Sequence, residues 1–111
     1  MMHTDDPAAA RYRLDPARLD LAREFRAKIR GPHSEELRAL LNRMRWGPLK
    51  GRWVLVVADP GRAWWLAEMP GKRGLPVKID KSRLFTSLDE AEWHVFTLRW
   101  RALTGQELKL D

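Results

Sequence analysis

The side chains that most often do chemistry are few in this chain and lie far apart in the sequence. Its three histidines are His3, near the start, His33, in a predicted turn, and His94, in the last predicted helix. Glu90 and His94 are four residues apart, a spacing that places two metal ligands on one helical face. A catalytic metal site needs three ligands, and no HExxH motif accompanies this pair. A pair of surface side chains is therefore the simpler interpretation.

Nucleophilic and cofactor-binding motifs are also missing. The chain has no cysteine, which excludes disulfides, thiolate metal sites and a cysteine nucleophile. Ser34 and Ser87 each stand at a predicted helix start, where a serine side chain caps the helix. Neither GxGxxG nor GxxxxGK[ST] occurs. The inventory favours a subunit or a binding module over a free-standing enzyme, and it predicts no catalytic residue, metal or cofactor in this chain.

Length and charge limit the partners. A chain of 111 residues predicts one domain, here residues 14–111, preceded by a flexible tail over residues 1–13. The formal charge of +6 suits nucleic acid, anionic lipid, an acidic protein, or solubility alone. No signal-peptide pattern and no apolar run long enough to span a bilayer occur. We therefore expect a cytoplasmic protein that does not enter a membrane.

The predicted helices and strands indicate an α+β fold that begins with a helical hairpin. The first helix is expected to start at Asp15, with Pro16 in its first turn, and to end at Gly31-Pro32. The second is expected to start at Ser34.

A small antiparallel sheet of two or three strands should follow the hairpin. The apolar run 53–58 predicts a central, covered strand, and the turn 59–62 leads into a return strand over 63–69. A weaker third strand over 75–79 is expected at an edge, because Pro76 lacks a backbone N–H group. The C-terminal helix is expected to pack on this sheet.

The C-terminal helix, expected between Ser87 and Gly105, is apolar on two nearly opposite sides. One stripe contains Leu88, Ala91, Val95, Leu98 and Ala102, and the second contains Trp93, Phe96, Trp100 and Leu103. A helix in a small domain needs one apolar stripe for its own core. The second stripe therefore predicts contact with another polypeptide, unless the rest of the chain covers both sides.

A second interpretation remains open for the basic loop 72–83 beside the tryptophan-bearing hairpin. Basic residues next to aromatic side chains can bind nucleic acid through phosphate contacts and base stacking. Trp64 and Trp65 can equally divide between core and interface while the lysines are solvated, which is the interpretation we favour. A small basic nucleic-acid-binding module is therefore the alternative function.

The ordered pattern of residues over roughly 33–104 resembles the small (alpha) subunit of N,N-dimethylformamidase. The residues that carry the resemblance are Leu37, Asn42, Met44, Arg45, Pro48, Gly51, Arg52, Trp53, Trp64 or Trp65, Gly74, Leu75, Pro76, Phe85, Ser87, Glu90, Ala91, Val95, Phe96, Leu98 and Arg99. The N-terminal region departs from the family pattern, and the chain is more basic than the family members.

The resemblance implies a non-catalytic subunit of a hetero-oligomeric amidohydrolase. That enzyme hydrolyses N,N-dimethylformamide to formate and dimethylamine, with an iron held by tyrosine and glutamate side chains of the large subunit. The small subunit packs on the large one and stabilises it. Combined with the second stripe, the resemblance predicts a partner interface that contains Trp93, Phe96, Trp100, Leu103, Trp46 and Arg52.

Overall fold

The computed structural model describes residues 14–45, 53–70 and 74–110, and within them lie three helices and three strands. In chain order they are α1 (Leu19–Ala27), α2 (Glu35–Arg45), β1 (Trp53–Asp59), β2 (Ala63–Glu68), β3 (Lys78–Phe85) and α3 (Leu88–Thr104). The predicted α+β fold is confirmed: a helical hairpin precedes an antiparallel sheet, and the C-terminal helix packs on that sheet. Among the described residues, no helix is both long and apolar enough to cross a bilayer.

The described residues fall into two compact units. One unit holds the residues up to 45 together with those from Trp100 onward, and the other holds those from 53 to Arg99. The last helix therefore contributes residues to both units. The proposed tail over residues 1–13 lies outside the described residues, and the single domain over 14–111 stays a prediction.

The helical hairpin is built on two short apolar stripes. The buried side chains are Leu21, Ala22 and Phe25 on α1, and Leu37, Leu40 and Met44 on α2. These positions recur at three and four residues, so each helix places them on one side. On α2, Leu37, Leu40 and Met44 form this side, whereas Leu41 is partly exposed.

The predicted start of α1 at Asp15 is wrong. The Asp15 side chain accepts a hydrogen bond from the N–H group of Ala17 (2.8 Å), and the Asp15 carbonyl accepts one from Arg18 (3.0 Å). These bonds stabilise a turn, and the helix begins after it, at Leu19. An aspartate followed by proline is favourable in both settings, which explains the error.

The start of α2 at Ser34 is confirmed, and this residue also ties the two helices together. Its side-chain oxygen accepts a hydrogen bond from the N–H group of Leu37 (3.2 Å). Its own N–H and O–H groups donate to the two carboxylate oxygens of Glu24 on α1, each at 2.6 Å. These bonds to the charged form lower the pKa of Glu24.

The three strands form an antiparallel sheet in the order β1-β2-β3. The strand that begins at Trp53 was predicted to be central, and this is wrong: β2 is central and β1 is an edge strand. An apolar run on both faces indicates cover on both faces, but it does not indicate a neighbour on both sides. The third strand does lie at an edge, as predicted, although it runs from Lys78 to Phe85 and so converts half of the expected basic loop into strand.

The turn and the ends of α3 follow the sequence signals. Gly61 has a φ of 73° at the third position of the turn, where glycine is favoured, and Arg62 donates to the carbonyl of Asp59 (2.9 Å). Ser87 accepts a hydrogen bond from the N–H group of Glu90 (3.3 Å) and so caps α3. Gly105, with a φ of 73°, follows the last helical residue.

Candidate partner interface

The second stripe of α3 is covered at its centre by the chain itself. Phe96 and Trp100 are only 2% and 1% exposed, whereas Trp93 and Leu103 are partly exposed. The expectation that this stripe is bare is therefore wrong for Phe96 and Trp100. The expectation is partly correct for Trp93 and Leu103, which lie at the two ends of the stripe.

The chain buries residues of both stripes of α3. Phe96, in the second stripe, and Ala91 and Val95, in the first, are all buried. All three belong to the same unit, because the unit boundary divides α3 along its length, between Arg99 and Trp100. Two stripes therefore do not by themselves indicate a second polypeptide.

Trp93 is the part of the predicted interface that is still accessible. Its ring stacks on that of Phe96, with centroids 5.4 Å apart and planes inclined by 13°. The buried phenyl ring thus supports one side of the indole while the rest of the indole remains partly exposed. A partly exposed indole on a rigid support is typical of an interface anchor. Trp46 and Arg52, the other two predicted interface residues, lie outside the described residues.

The sheet presents two faces of different character, as its registers show. Residues that pair across strands share a face, and faces alternate along each strand. We call the first the helix face; it contains Trp53, Leu55, Val57, Trp64, Leu66, Glu68, Lys78, Asp80 and Phe85. We call the second the open face; it contains Val54, Val56, Asp59, Ala63, Trp65, Ala67, Ile79 and Leu84. Trp64 and Trp65 thus lie on opposite faces, and since both are partly exposed, their division between core and interface stays a prediction.

The last helix packs on the helix face. The ring of Phe85 lies 5.4 Å from that of His94 on α3, and Leu66 on the same face is 3% exposed. In addition, the Arg99 side chain donates a hydrogen bond from Nη2 to the carbonyl of Trp53 (2.9 Å). These contacts attach α3 to both edge strands of the sheet.

The open face is apolar at every paired position except Asp59, yet two of its large side chains are exposed. Ile79 is 39% exposed and Leu84 is 49% exposed. Sequence analysis missed both residues, because it ended the third strand at Ile79 and placed Leu84 after the basic loop 72–83, outside any strand. The alternation of Ile79 and Leu84 with polar neighbours could be recognised only once the strand and its register were known.

The sequence between Ile79 and Leu84 forms a bulge rich in positive charge. Leu66 and Trp65 are adjacent on β2, but they pair with Asp80 and Leu84, so residues 81–83 are extra on β3. The Asp80 carboxylate accepts hydrogen bonds from the hydroxyl and N–H groups of Ser82 (2.6 and 3.0 Å). These bonds lower the pKa of Asp80 and stabilise the bulge.

The groups that were considered for metal binding are arranged differently. His94 packs against Phe85, and burial, together with the nearby charge of Arg83, lowers the pKa of its imidazole. Nowhere in the described parts of the chain do three His, Cys, Asp or Glu side chains come together as they would to hold a metal ion. A shallow groove beside α1 is lined by Arg23, Arg26, Ala27 and Leu110, which include no nucleophile.

The comparisons identify the family of the chain. The model of the N,N-dimethylformamidase alpha subunit matches residues 8–109 of the 111. The match begins well before residue 33, so the family pattern extends further towards the N-terminus than the resemblance over roughly 33–104 indicated. No curated protein matches the chain. Since the match covers nearly the whole sequence, the chain belongs to the N,N-dimethylformamidase alpha subunit family.

Proposed function

We propose that this chain is the non-catalytic small subunit of a dimethylformamidase-like amidohydrolase, which docks on a large catalytic subunit and stabilises it. The family match over residues 8–109 carries the proposal, since an alpha subunit implies another subunit. The complex is expected to be a cytoplasmic hetero-oligomer. It would hydrolyse N,N-dimethylformamide: water adds to the carbonyl carbon, the C–N bond breaks, and formate and dimethylamine are released.

The residues of this chain support a role without catalysis. The described parts bring no metal-binding trio together, and Ser34 and Ser87 are both engaged in helix capping. The only tyrosine of the chain, Tyr12, lies outside the described residues. We propose, from the family resemblance, that the iron is held by the large subunit and not by this chain. An iron held by the large subunit would supply Lewis acidity towards the amide carbonyl or a bound water.

Of the interface residues expected on α3, Trp93 is the best candidate for direct contact with the large subunit. Its indole is partly exposed and is supported by Phe96, so it can be buried by a partner with little loss of side-chain entropy. Phe96 and Trp100 would then contribute indirectly, because they belong to the buried core that fixes the position of α3.

The proposal is tested by co-expressing the chain with a tagged large subunit from the same organism. We expect the two chains to co-purify in a fixed ratio by native mass spectrometry. We also expect the complex, and not the small chain alone, to release formate from N,N-dimethylformamide. Turnover by the isolated chain, or failure of the two chains to associate, would contradict the proposal.

The contribution of Trp93 is tested in the same experiment. Trp93→Ala is expected to weaken association about tenfold or more, the effect typical of an interface anchor. Arg101→Ala, a change at an exposed position of the same helix, is the control and should leave association unchanged. Circular dichroism verifies that both variants are folded. Equal association of the two variants would remove Trp93 from the interface.

A further inference from the structure

We propose that the open face of the sheet is a second docking surface for the large subunit. It is centred on Trp65, Ile79 and Leu84 and bordered by the basic edge of β3. This inference is built on the proposed function, since it names a surface of the same complex. It is independent of Trp93, which belongs to the helix on the other side of the sheet.

The composition of the open face is the opposite of what solvent exposure favours. An antiparallel sheet that is covered on one side usually carries polar side chains on the other. Here Glu68, Lys78 and Asp80 lie on the helix face, while seven of the eight paired residues of the open face are apolar. The exception is Asp59, which pairs with Ala63 beside the turn. Away from the turn, the sequence of this face is therefore that of a surface to be covered.

The exposed area is concentrated at one edge of the open face. Ala67, in the central strand, is fully buried, but its cross-strand neighbour Ile79 is 39% exposed. Trp65 is partly exposed beside Leu84, which is 49% exposed. Trp65 and Leu84 thus form an aromatic and aliphatic pair that is accessible from solvent. An indole flanked by aliphatic side chains is typical of the centre of a protein interface.

The charge next to this pair indicates the chemistry of the partner. Lys81 and Arg83 are exposed in the bulge of β3, the edge strand, directly before Leu84. Lys78 is also exposed on β3 but lies on the helix face, and the charge of Arg83 is near His94 on that side. The Asp80 carboxylate is engaged by Ser82 within the bulge. A surface that fits here therefore has an apolar centre and acidic residues facing β3. Such charges mainly raise the association rate and exclude wrong partners.

The same charge favours the large subunit over the other possible occupants. A second copy of the chain would bring its own open face and its own β3 cations to a symmetric contact, and each copy has a formal charge of +6. Nucleic acid would find a single aromatic side chain, Trp65, among aliphatic ones, which is a poor platform for stacking bases. A different, acidic protein chain satisfies both the apolar centre and the basic edge.

The test compares two leucines of similar exposure in binding to the purified large subunit. Leu84→Asp places a carboxylate at the centre of the open face. Leu75→Asp is the control, since Leu75 is 54% exposed but lies between β2 and β3 in the sequence, outside both strands. We expect Leu84→Asp to weaken binding about tenfold or more and Leu75→Asp to change it less than about threefold. Equal affinity of the two variants would overturn the proposal.

Hydrogen–deuterium exchange on the wild-type proteins covers the case in which Leu84→Asp misfolds. Residues 78–85 are expected to gain protection when the large subunit is added. Exchange in this segment that stays unchanged in the complex would overturn the proposal. If only Trp93→Ala weakens binding, the open face is excluded while the proposed function stands. If the wild-type chains do not associate, both fail.

The other occupants are tested with the same variants. A wild-type homodimer that Leu84→Asp converts to a monomer, without any change in binding to the large subunit, would assign the open face to a second copy. Retention of a labelled single-stranded oligonucleotide that Leu84→Asp abolishes, again without a change in subunit binding, would assign it to nucleic acid. Either result would overturn the proposal.

Discussion

The two faces of the sheet show how differently similar apolar residues can be used. On the helix face, Leu66 is 3% exposed and Phe85 packs against His94 of the last helix. On the open face, Leu84 is next to Phe85 in sequence and is 49% exposed. Leu66 therefore contributes to the stability of the chain, whereas Leu84 has its apolar surface available for a partner. Three measurements on the isolated chain test this difference.

The largest effect is expected from truncating equivalent side chains on the two faces. Leu66→Ala should lower the free energy of unfolding by about 2–4 kcal/mol, because it leaves a cavity under the last helix. Leu84→Ala should lower it by less than about 1 kcal/mol, because its side chain already contacts water. Urea unfolding of the two variants provides the comparison. Similar losses would mean that the open face is part of the core of the isolated chain.

A smaller effect is expected from weakening the start of the covering helix. Ser87→Ala removes the oxygen that accepts the N–H group of Glu90 and should cost about 1 kcal/mol. Ser87→Asp restores a capping oxygen and is the matched control. Because α3 covers only the helix face, amide exchange near Leu66 should rise in the alanine variant. Unchanged stability of that variant would show that the cap contributes little.

The smallest effect is a dependence on pH that involves the helix face alone. Burial lowers the pKa of His94 below its ordinary value, so the unfolded chain binds this proton more readily than the folded chain. The contribution of neutral His94 to stability is complete above about pH 6.5 and is lost as the pH falls below that value. Thermal unfolding between pH 7 and pH 5 checks it. His94→Gln should reduce the slope, and an unchanged slope would contradict this.

Local signals in the sequence predicted the elements where a side chain acts on its own neighbours. Ser34 and Ser87 cap the helices that follow them, and Gly61 and Gly105 adopt the positive φ that their positions require. Asp15 failed as a helix start because its carboxylate stabilises a turn just as well. Each of these signals operates over a few residues, so each could be interpreted without knowing the fold.

Signals that depend on distant residues were interpreted less well. The apolar run from Trp53 was assigned to the centre of the sheet, although strand order depends on pairing that no local pattern encodes. The basic stretch that contains Lys81 was assigned to a loop, because a bulge breaks the alternation that would have indicated a strand. The second apolar stripe of the last helix was assigned to a partner, whereas the chain itself buries Phe96 and Trp100 at the centre of that stripe.

The sequence by itself determined the helix caps, the turn, the fold class and the family pattern, because these depend on residue types at short and regular spacings. Only the tertiary structure decided which apolar side chains are covered. Phe96 and Leu84 are both large apolar residues near the C-terminal end of the chain, yet one is 2% and the other 49% exposed. Burial is a property of what packs around a side chain, and those neighbours are brought together only by the folded chain.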